Sequence, residues 1–182
     1  EARCAIFLKA SELLAGPRRA EINAATMLNQ SKTCNQAEID AACELIDFWR
    51  FNTNYCRQIY EDLQPPVSPS SMWNSSEIRP LEGFVFSVPP FNFSSIAANL
   101  TTSAASMGNT GVWKPSRNSY VSNYRLMKLM MDAGLPAGVI NFIPGKASLV
   151  GDICMSHSEL AGVHFTGSTA VFRKLWKDVA NN

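Results

Sequence analysis

The sequence predicts an α/β fold, in which a helical N-terminal segment leads into a parallel sheet covered by helices on both faces. Over the first third of the chain, apolar residues recur at helical spacing. After Pro80, short apolar runs alternate with helical ones, the signature of parallel strands joined by crossover helices. The alternation then stops at Asn181-Asn182 with no further strand, so the sheet is expected to be incomplete at the C-terminus. A sheet ending at an inner strand is expected to leave one edge and an apolar face exposed.

Each element follows from its own pattern. Ala5, Ile6, Leu8, Leu13 and Leu14 share helical spacing, and Gly16-Pro17 breaks it before Arg18 opens a second helix. A longer helix is predicted from Gln36 to about Tyr60, with Ile39, Cys43, Ile46, Trp49, Thr53 and Cys56 along one core-facing stripe. Gln64 to Ser71 is rich in proline and serine and reads as a surface connector, because proline removes donors and pushes its neighbours toward extended geometry. Phe84 to Val88, Gly111 to Trp113, Val139 to Ile143 and Ala161 to Phe165 read as strands. Between them lie helices from Ser94 to Met107, with Ser94 as N-cap, from Ser119 to Ala133, stopped by Gly134 and Pro136, and around Leu149 to Met155. A fourth starts at Thr169. The chain thus divides into a helical part (1–64), a connector (65–80) and a strand-and-helix region (81–182).

Composition narrows the function classes. With 182 residues and 46% hydrophobic content, the chain can bury the core of one ordinary domain, or one and a half. A net charge of +1 with interspersed signs gives no electrostatic footprint for nucleic acid or an anionic membrane surface. No apolar run reaches bilayer length, and Glu1-Ala2-Arg3 does not open a targeting signal. The five cysteines are odd in number and contain no CxxC pair, which speaks against a disulfide framework or zinc site and for a reducing compartment. His157 and His164 lack partners at metal-ligand spacing, so no metal is expected.

Three runs carry the chemistry: Pro90-Phe91-Asn92-Phe93, Trp113-Lys114-Pro115-Ser116 and Phe165-Thr166-Gly167-Ser168, each where a strand hands over to a helix. In an open parallel sheet that edge is where ligands bind, so the runs read as one site. The Asn92 amide is suited to donate to an oxygen that becomes negative during reaction at a carbonyl, although asparagine also serves in turns for local reasons. Lys114 emerges at the same edge, suited to ribose hydroxyls or a phosphate, or is an ordinary strand-end lysine. The turn Thr166-Gly167-Ser168-Thr169 can meet a diphosphate or simply cap a helix. No G-x-G-x-x-G fingerprint accompanies it. Glu44 reads either as a solvated helix acid or as a carboxylate facing a pocket.

In this order and at these separations, the three runs resemble an aldehyde dehydrogenase. Arg19-Ala20-Glu21-Ile22-Asn23-Ala24, Gln36-Ala37-Glu38-Ile39-Asp40-Ala41-Ala42 and Arg79-Pro80-Leu81-Glu82-Gly83-Phe84 further resemble the branch that oxidises glutamate semialdehyde, the 1-pyrroline-5-carboxylate dehydrogenases. The resemblance covers the whole chain. It implies a Rossmann-like cofactor-binding domain in which Asn92 stabilises the oxyanion formed when a cysteine thiolate attacks the aldehyde. It likewise implies that Pro89, Lys114, Pro115, Gly167, Ser168, Thr169, Ala170 and Val171 hold NAD, and that Glu44 and Phe93 line the aldehyde pocket. The family's nucleophilic cysteine and general-base glutamate lie beyond the part resembling Val163 to Asn182, so the chain alone is expected to be inactive and to belong to a longer enzyme.

The activity implied is NAD-dependent oxidation of L-glutamate 5-semialdehyde to L-glutamate in proline breakdown. A homo-oligomer is implied, in the mitochondrial matrix of a eukaryote or the cytoplasm of a bacterium. The alternative is a truncated, non-catalytic homologue that serves only as a nucleotide-binding or interaction module. Two departures stand out: Pro89 replaces a residue often serine, and Arg117 stands where the family usually has an acid that accepts from the adenosine ribose. An arginine there opens the use of NADP.

Overall fold

Residues 1–181 are described by the computed structural model, so Asn182, the last residue of the region expected from 81 onward, lies outside the described residues. The first helix, α1 (Ala2–Ala15), buries Phe7, Ala10 and Leu14, while Leu8 from the expected apolar set stays exposed. Gly16 and Pro17 separate it from α2 (Arg19–Gln30), which ends at Ser31 in the left-handed conformation. Thr33 then opens the next helix through a reciprocal capping box with Gln36, which places its start at α3 (Cys34–Ala37), earlier than the periodicity predicts.

The predicted long helix is not uniform. A π-helical turn, Glu38–Cys43, joins α3 to α4 (Glu44–Asp62). The wider turn rotates the faces of the helix out of a steady 3.6-residue period, which is why Ile39 is exposed although it falls on the expected stripe. Ala41, Ala42, Leu45, Ile46 and Trp49 face the core instead. Trp49 is fully enclosed, and its indole N–H donates to Thr102 Oγ1 at 3.0 Å.

The sheet contains β1 (Phe84–Val88), β2 (Thr110–Trp113), β3 (Ile140–Phe142) and β4 (Leu160–Phe165), all parallel, in the order β3-β2-β1-β4. Its helices are α5 (Ser94–Ser106), α6 (Tyr120–Asp132) behind a 3₁₀ turn at Arg117–Ser119, α7 (Ala147–Met155) and α8 (Thr169–Asn181). Two cores sandwich the sheet. On one side, α1, α2, the π turn and α4 pack with α5 and α6 against Trp113 and Ile140. On the other, Phe86, Val112 and Val163 meet Cys154, Met155 and Leu175 from α7 and α8.

Tight geometry fixes where β1 begins. Gly83 has φ +87°, and a Cβ there would sit 2.0 Å from the Glu159 carbonyl oxygen, the atom that accepts from the Phe84 N–H at 2.9 Å. Ser94 is not the N-cap the sequence suggests. Phe93 occupies that position with extended backbone and no side-chain cap, and Ser94 is the first helical residue, wholly buried and committed to tertiary hydrogen bonds. The expected exposed edge and apolar face are present: all six β4 residues are only partly buried, α8 buries none, and Phe172, Trp176 and Val179 stay exposed.

Candidate functional site

The order β3-β2-β1-β4 reverses direction at β1, so the crevice outside the carboxyl ends of β1 and β4 is the topological switch point of the sheet. Backbone pairing brings the three sequence runs to that edge. Ser87 stands opposite Trp113 and Val88 opposite Phe165; past the strands, the Lys114 N–H donates to the Ser87 carbonyl at 3.1 Å and the Thr166 N–H to Val88 at 3.2 Å.

The Pro90-Phe91-Asn92-Phe93 run bends from β1 into α5 and is pinned from several sides. Gln30 Nε2 of α2 donates to Ser94 Oγ at 2.8 Å and to Ser122 Oγ at 3.1 Å, and Thr26 Oγ1 lies 3.3 Å from Ser94 Oγ. Ser95 Oγ donates to Glu44 Oε2 at 2.7 Å, which sets Glu44 beside the first turn of α5 rather than free in solvent. The Lys32 ammonium sits 4.2 Å from the centre of the Phe93 ring while pairing with Asp40 on the π turn. Asn92 itself is partly exposed, and its amide makes no hydrogen bond among the described residues.

Lys114 is the unusual group. It is only 8% exposed, and its ammonium has no hydrogen-bond or ion-pair partner among the described residues. Burial pushes its pKa below the usual lysine value. The side chain opens onto two adjoining cavities. One, about 230 Å³, lies between the end of β1 and helices α7 and α8, with Ala147, Gly151, Asp152, Val171 and Lys174 in its wall. The other, about 600 Å³, is bounded by Ser116, Arg117, Tyr120, Gly145 and Lys146, and Ala147 is common to both.

Of the residues the sequence singles out for a cofactor, Lys114 and Val171 therefore share one cleft. Pro89 and Pro115 are buried where β1 and β2 end, Gly167 and Ser168 form an exposed turn, and Thr169 and Ala170 are the exposed first residues of α8. Ser168 Oγ accepts from the Val171 N–H at 3.4 Å, the capping reading of that turn. The sequence did not single out Ala147, Asp152 or Lys146 on α7 and the loop before it. The only signal there was Gly145-Lys146 just ahead of a helix. Tyr120 shapes that loop, its hydroxyl accepting from the Gly145 N–H at 3.0 Å and donating to the Gly145 carbonyl at 2.9 Å.

The histidines lie elsewhere in role. His164 Nδ1 is 2.7 Å from the Leu100 carbonyl, which ties β4 to α5, and His157 is exposed against Phe84. Among the described residues, no group of three or more metal-ligating side chains converges, and no helix is long and apolar enough to cross a membrane.

Known proteins resemble this chain over its whole length. The chain is 50% identical over 180 residues to a probable delta-1-pyrroline-5-carboxylate dehydrogenase of Schizosaccharomyces pombe, covering 99% of this chain and 33% of that protein. It is 48% identical over 180 residues to the human mitochondrial delta-1-pyrroline-5-carboxylate dehydrogenase, covering 99% of this chain and 32% of the relative. The crystal structure of the Mycobacterium tuberculosis delta-pyrroline-5-carboxylate dehydrogenase bound with NAD superposes with a TM-score of 0.96 at 55% identity, over 100% of this chain and 34% of that one. The chain thus spans about a third of the length of the curated relatives it matches. Since the profile described as "Aldehyde dehydrogenase family" matches residues 1–182, from one end of the chain to the other, the chain belongs to that family.

Proposed function

We propose that this chain is part of a dehydrogenase that oxidises L-glutamate 5-semialdehyde, in equilibrium with 1-pyrroline-5-carboxylate, to L-glutamate, with NAD as acceptor, in proline catabolism. The observation that supports it most is the NAD-bound Mycobacterium tuberculosis relative, which matches the whole chain at 55% identity. The chain's own residues fit such a cofactor: a buried, unpartnered ammonium at Lys114 calls for an anionic or hydroxyl-rich ligand, and it faces a cleft at the switch point of the sheet. When bound, NAD supplies the hydride acceptor. Lys114 then orients the nucleotide, with Val171 as apolar wall, Pro89 and Pro115 shaping the strand ends, Gly167 and Ser168 forming the turn into α8, and Thr169 and Ala170 opening that helix.

Asn92 carries the catalytic role in this reading. Its amide has no competing partner, and the pinned start of α5 holds it in place to donate to the aldehyde oxygen as negative charge develops. Phe93 and Glu44, both beside that turn, fall to the aldehyde pocket. A homo-oligomer, and a mitochondrial matrix location in a eukaryote or a cytoplasmic one in a bacterium, belong to the same proposal. What disfavours a non-catalytic module is that the relatives aligned to the whole chain are named dehydrogenases.

The test is steady-state kinetics of the full-length protein with 1-pyrroline-5-carboxylate and NAD. Asn92→Ala should lower kcat by about 10²–10³ with a much smaller change in KM, the cost of one lost oxyanion donor. Absence of NADH formation by the unsubstituted protein, or an Asn92→Ala enzyme of near-normal kcat, would overturn the reading.

A further inference from the structure

Two of the five cysteines meet across the N-terminal helices, although neither belongs to a CxxC pair. Cys4 on α1 and Cys56 on α4 line one cavity of about 560 Å³, with Arg3, Tyr60 and Ser106 in the same wall. Shared partners hold the two segments together. The Ser106 carbonyl, at the end of α5, accepts from Arg3 Nε at 3.0 Å and from Cys56 Sγ at 3.7 Å. Arg3 Nη2 also donates to the Tyr60 hydroxyl at 3.0 Å, one turn along α4 from Cys56. The first turn of α1 is thus fixed against the stretch of α4 that carries the Cys56 thiol.

The two thiols differ in access. Cys56 is buried, whereas Cys4 is partly exposed beside it. Burial pushes the Cys56 thiol up, and the neighbouring Cys4 thiol adds to that shift while the Arg3 guanidinium opposes it. A buried thiol of that kind is slow to react with a soluble oxidant on its own, and a more exposed thiol in contact with it gives the oxidant a point of entry. Other cysteines have other surroundings: Cys43 accepts from Arg19 and donates to Glu38, and Cys154 packs in the core on the far side of the sheet. Arg3, Arg50 and Arg57 outnumber Glu1 and Glu61 around the cavity, which favours an anionic visitor over a cationic one.

We propose that Cys4 and Cys56 are a reversible redox pair, closing to a disulfide between α1 and α4 by exchange with an anionic low-molecular-weight disulfide such as oxidised glutathione. The Cys4 thiolate attacks one glutathione sulfur, which breaks the glutathione S–S bond and releases the first glutathione thiolate. Cys56 then gives up its proton and attacks Cys4 Sγ, so that the bond from Cys4 to glutathione breaks and the second thiolate leaves. The protons of the two cysteines end on the two released thiolates. Two protein thiols are oxidised and one glutathione disulfide is reduced. Such a pair suits a reducing compartment, in which protein disulfides are transient and report redox state. The closed form bolts α1 to α4, the helix whose first residue, Glu44, accepts from Ser95.

The experiment is incubation of the full-length protein at graded ratios of oxidised to reduced glutathione, then alkylation of the remaining thiols, proteolysis without reductant and mass spectrometry. A peptide linking Cys4 to Cys56 is expected at high ratios, and excess reduced glutathione should return both residues to thiols. Cys56→Ser should trap the mixed disulfide of glutathione on Cys4. Cys4→Ser, at the partly exposed position, should leave Cys56 modified about tenfold more slowly than Cys4 is in the unsubstituted protein. Absence of the linked peptide from the unsubstituted protein at every ratio, glutathione retained on Cys4 without closure, or Cys56 paired with a different cysteine overturns the proposal. Modification of Cys56 in Cys4→Ser as fast as that of Cys4 in the unsubstituted protein overturns it too.

Discussion

Replacing Lys114 by methionine should stabilise the ligand-free protein and weaken its grip on a dinucleotide. The side chain is 8% exposed and its ammonium is without a partner, so folding strips water from a charge and returns nothing for it. A polar group buried in that way costs about 1–3 kcal/mol, and methionine of similar length keeps the packing of the stem while removing that cost. The sign with pH is fixed by the lowered pKa. Between that value and the ordinary lysine value of about 10.4, the unfolded chain holds more protons than the folded one, so stability of the natural protein rises with pH. The advantage of the variant is therefore full below the lowered pKa and closes as pH rises through that window. With dinucleotide at 100 times its Kd the natural protein gains about 2.7 kcal/mol, and a tenfold weaker variant gains only about half as much. Thermal midpoints of full-length protein, with and without NAD or NADP, read both effects. A lower ligand-free midpoint for Lys114→Met, or an undiminished ligand-induced shift, would refute the reasoning.

Other positions give sharp expectations. Gly83→Ala forces a Cβ onto the Glu159 carbonyl at a positive φ, so it should cost at least about 2–3 kcal/mol from backbone strain and the lost Phe84 hydrogen bond; an unchanged melting midpoint would count against the geometry. Gln30→Met removes the donor to both Ser94 and Ser122 and should cost about 1–3 kcal/mol. In a double-mutant cycle with Ser94→Ala the two changes should couple by about 0.5 kcal/mol or more, and strict additivity would show that the bond does not hold α5 in place.

Much of the fold could be read from period alone. Four strands and the helices between them follow from runs such as Phe84 to Val88 and stops such as Gly134, because a strand packed between two helical layers is apolar along its length. The edge where Asn92, Lys114 and Gly167 gather follows from the same reading, since parallel strands hand over to helices at one end. What stayed hidden depends on contacts far apart in sequence. Ser94 has the composition of a cap, yet Gln30 and Thr26 draw it into the core, and no local rule anticipates partners more than sixty residues away. The π turn carries no compositional mark: Glu38-Ile39-Asp40-Ala41-Ala42-Cys43 reads as ordinary helix, and only packing against α2 and α5 shows where its faces turn. Lys146 and Ala147 escaped because a cavity wall on the facing loop has no period of its own.

The same turn links the helical segment to the chemistry. Asp40 on it holds Lys32 over Phe93, and Glu44, the residue directly after it, accepts from Ser95. The N-terminal helices thus do more than cover one face of the sheet; they clamp Phe93, Ser94 and Ser95, the residues directly after Asn92. At the strand ends of that frame lie two groups without a partner among the described residues, the Asn92 amide beyond β1 and the Lys114 ammonium beyond β2. In the proposed function the ligand and the transition state bring the missing partners, an anionic cofactor for Lys114 and a developing oxyanion for Asn92.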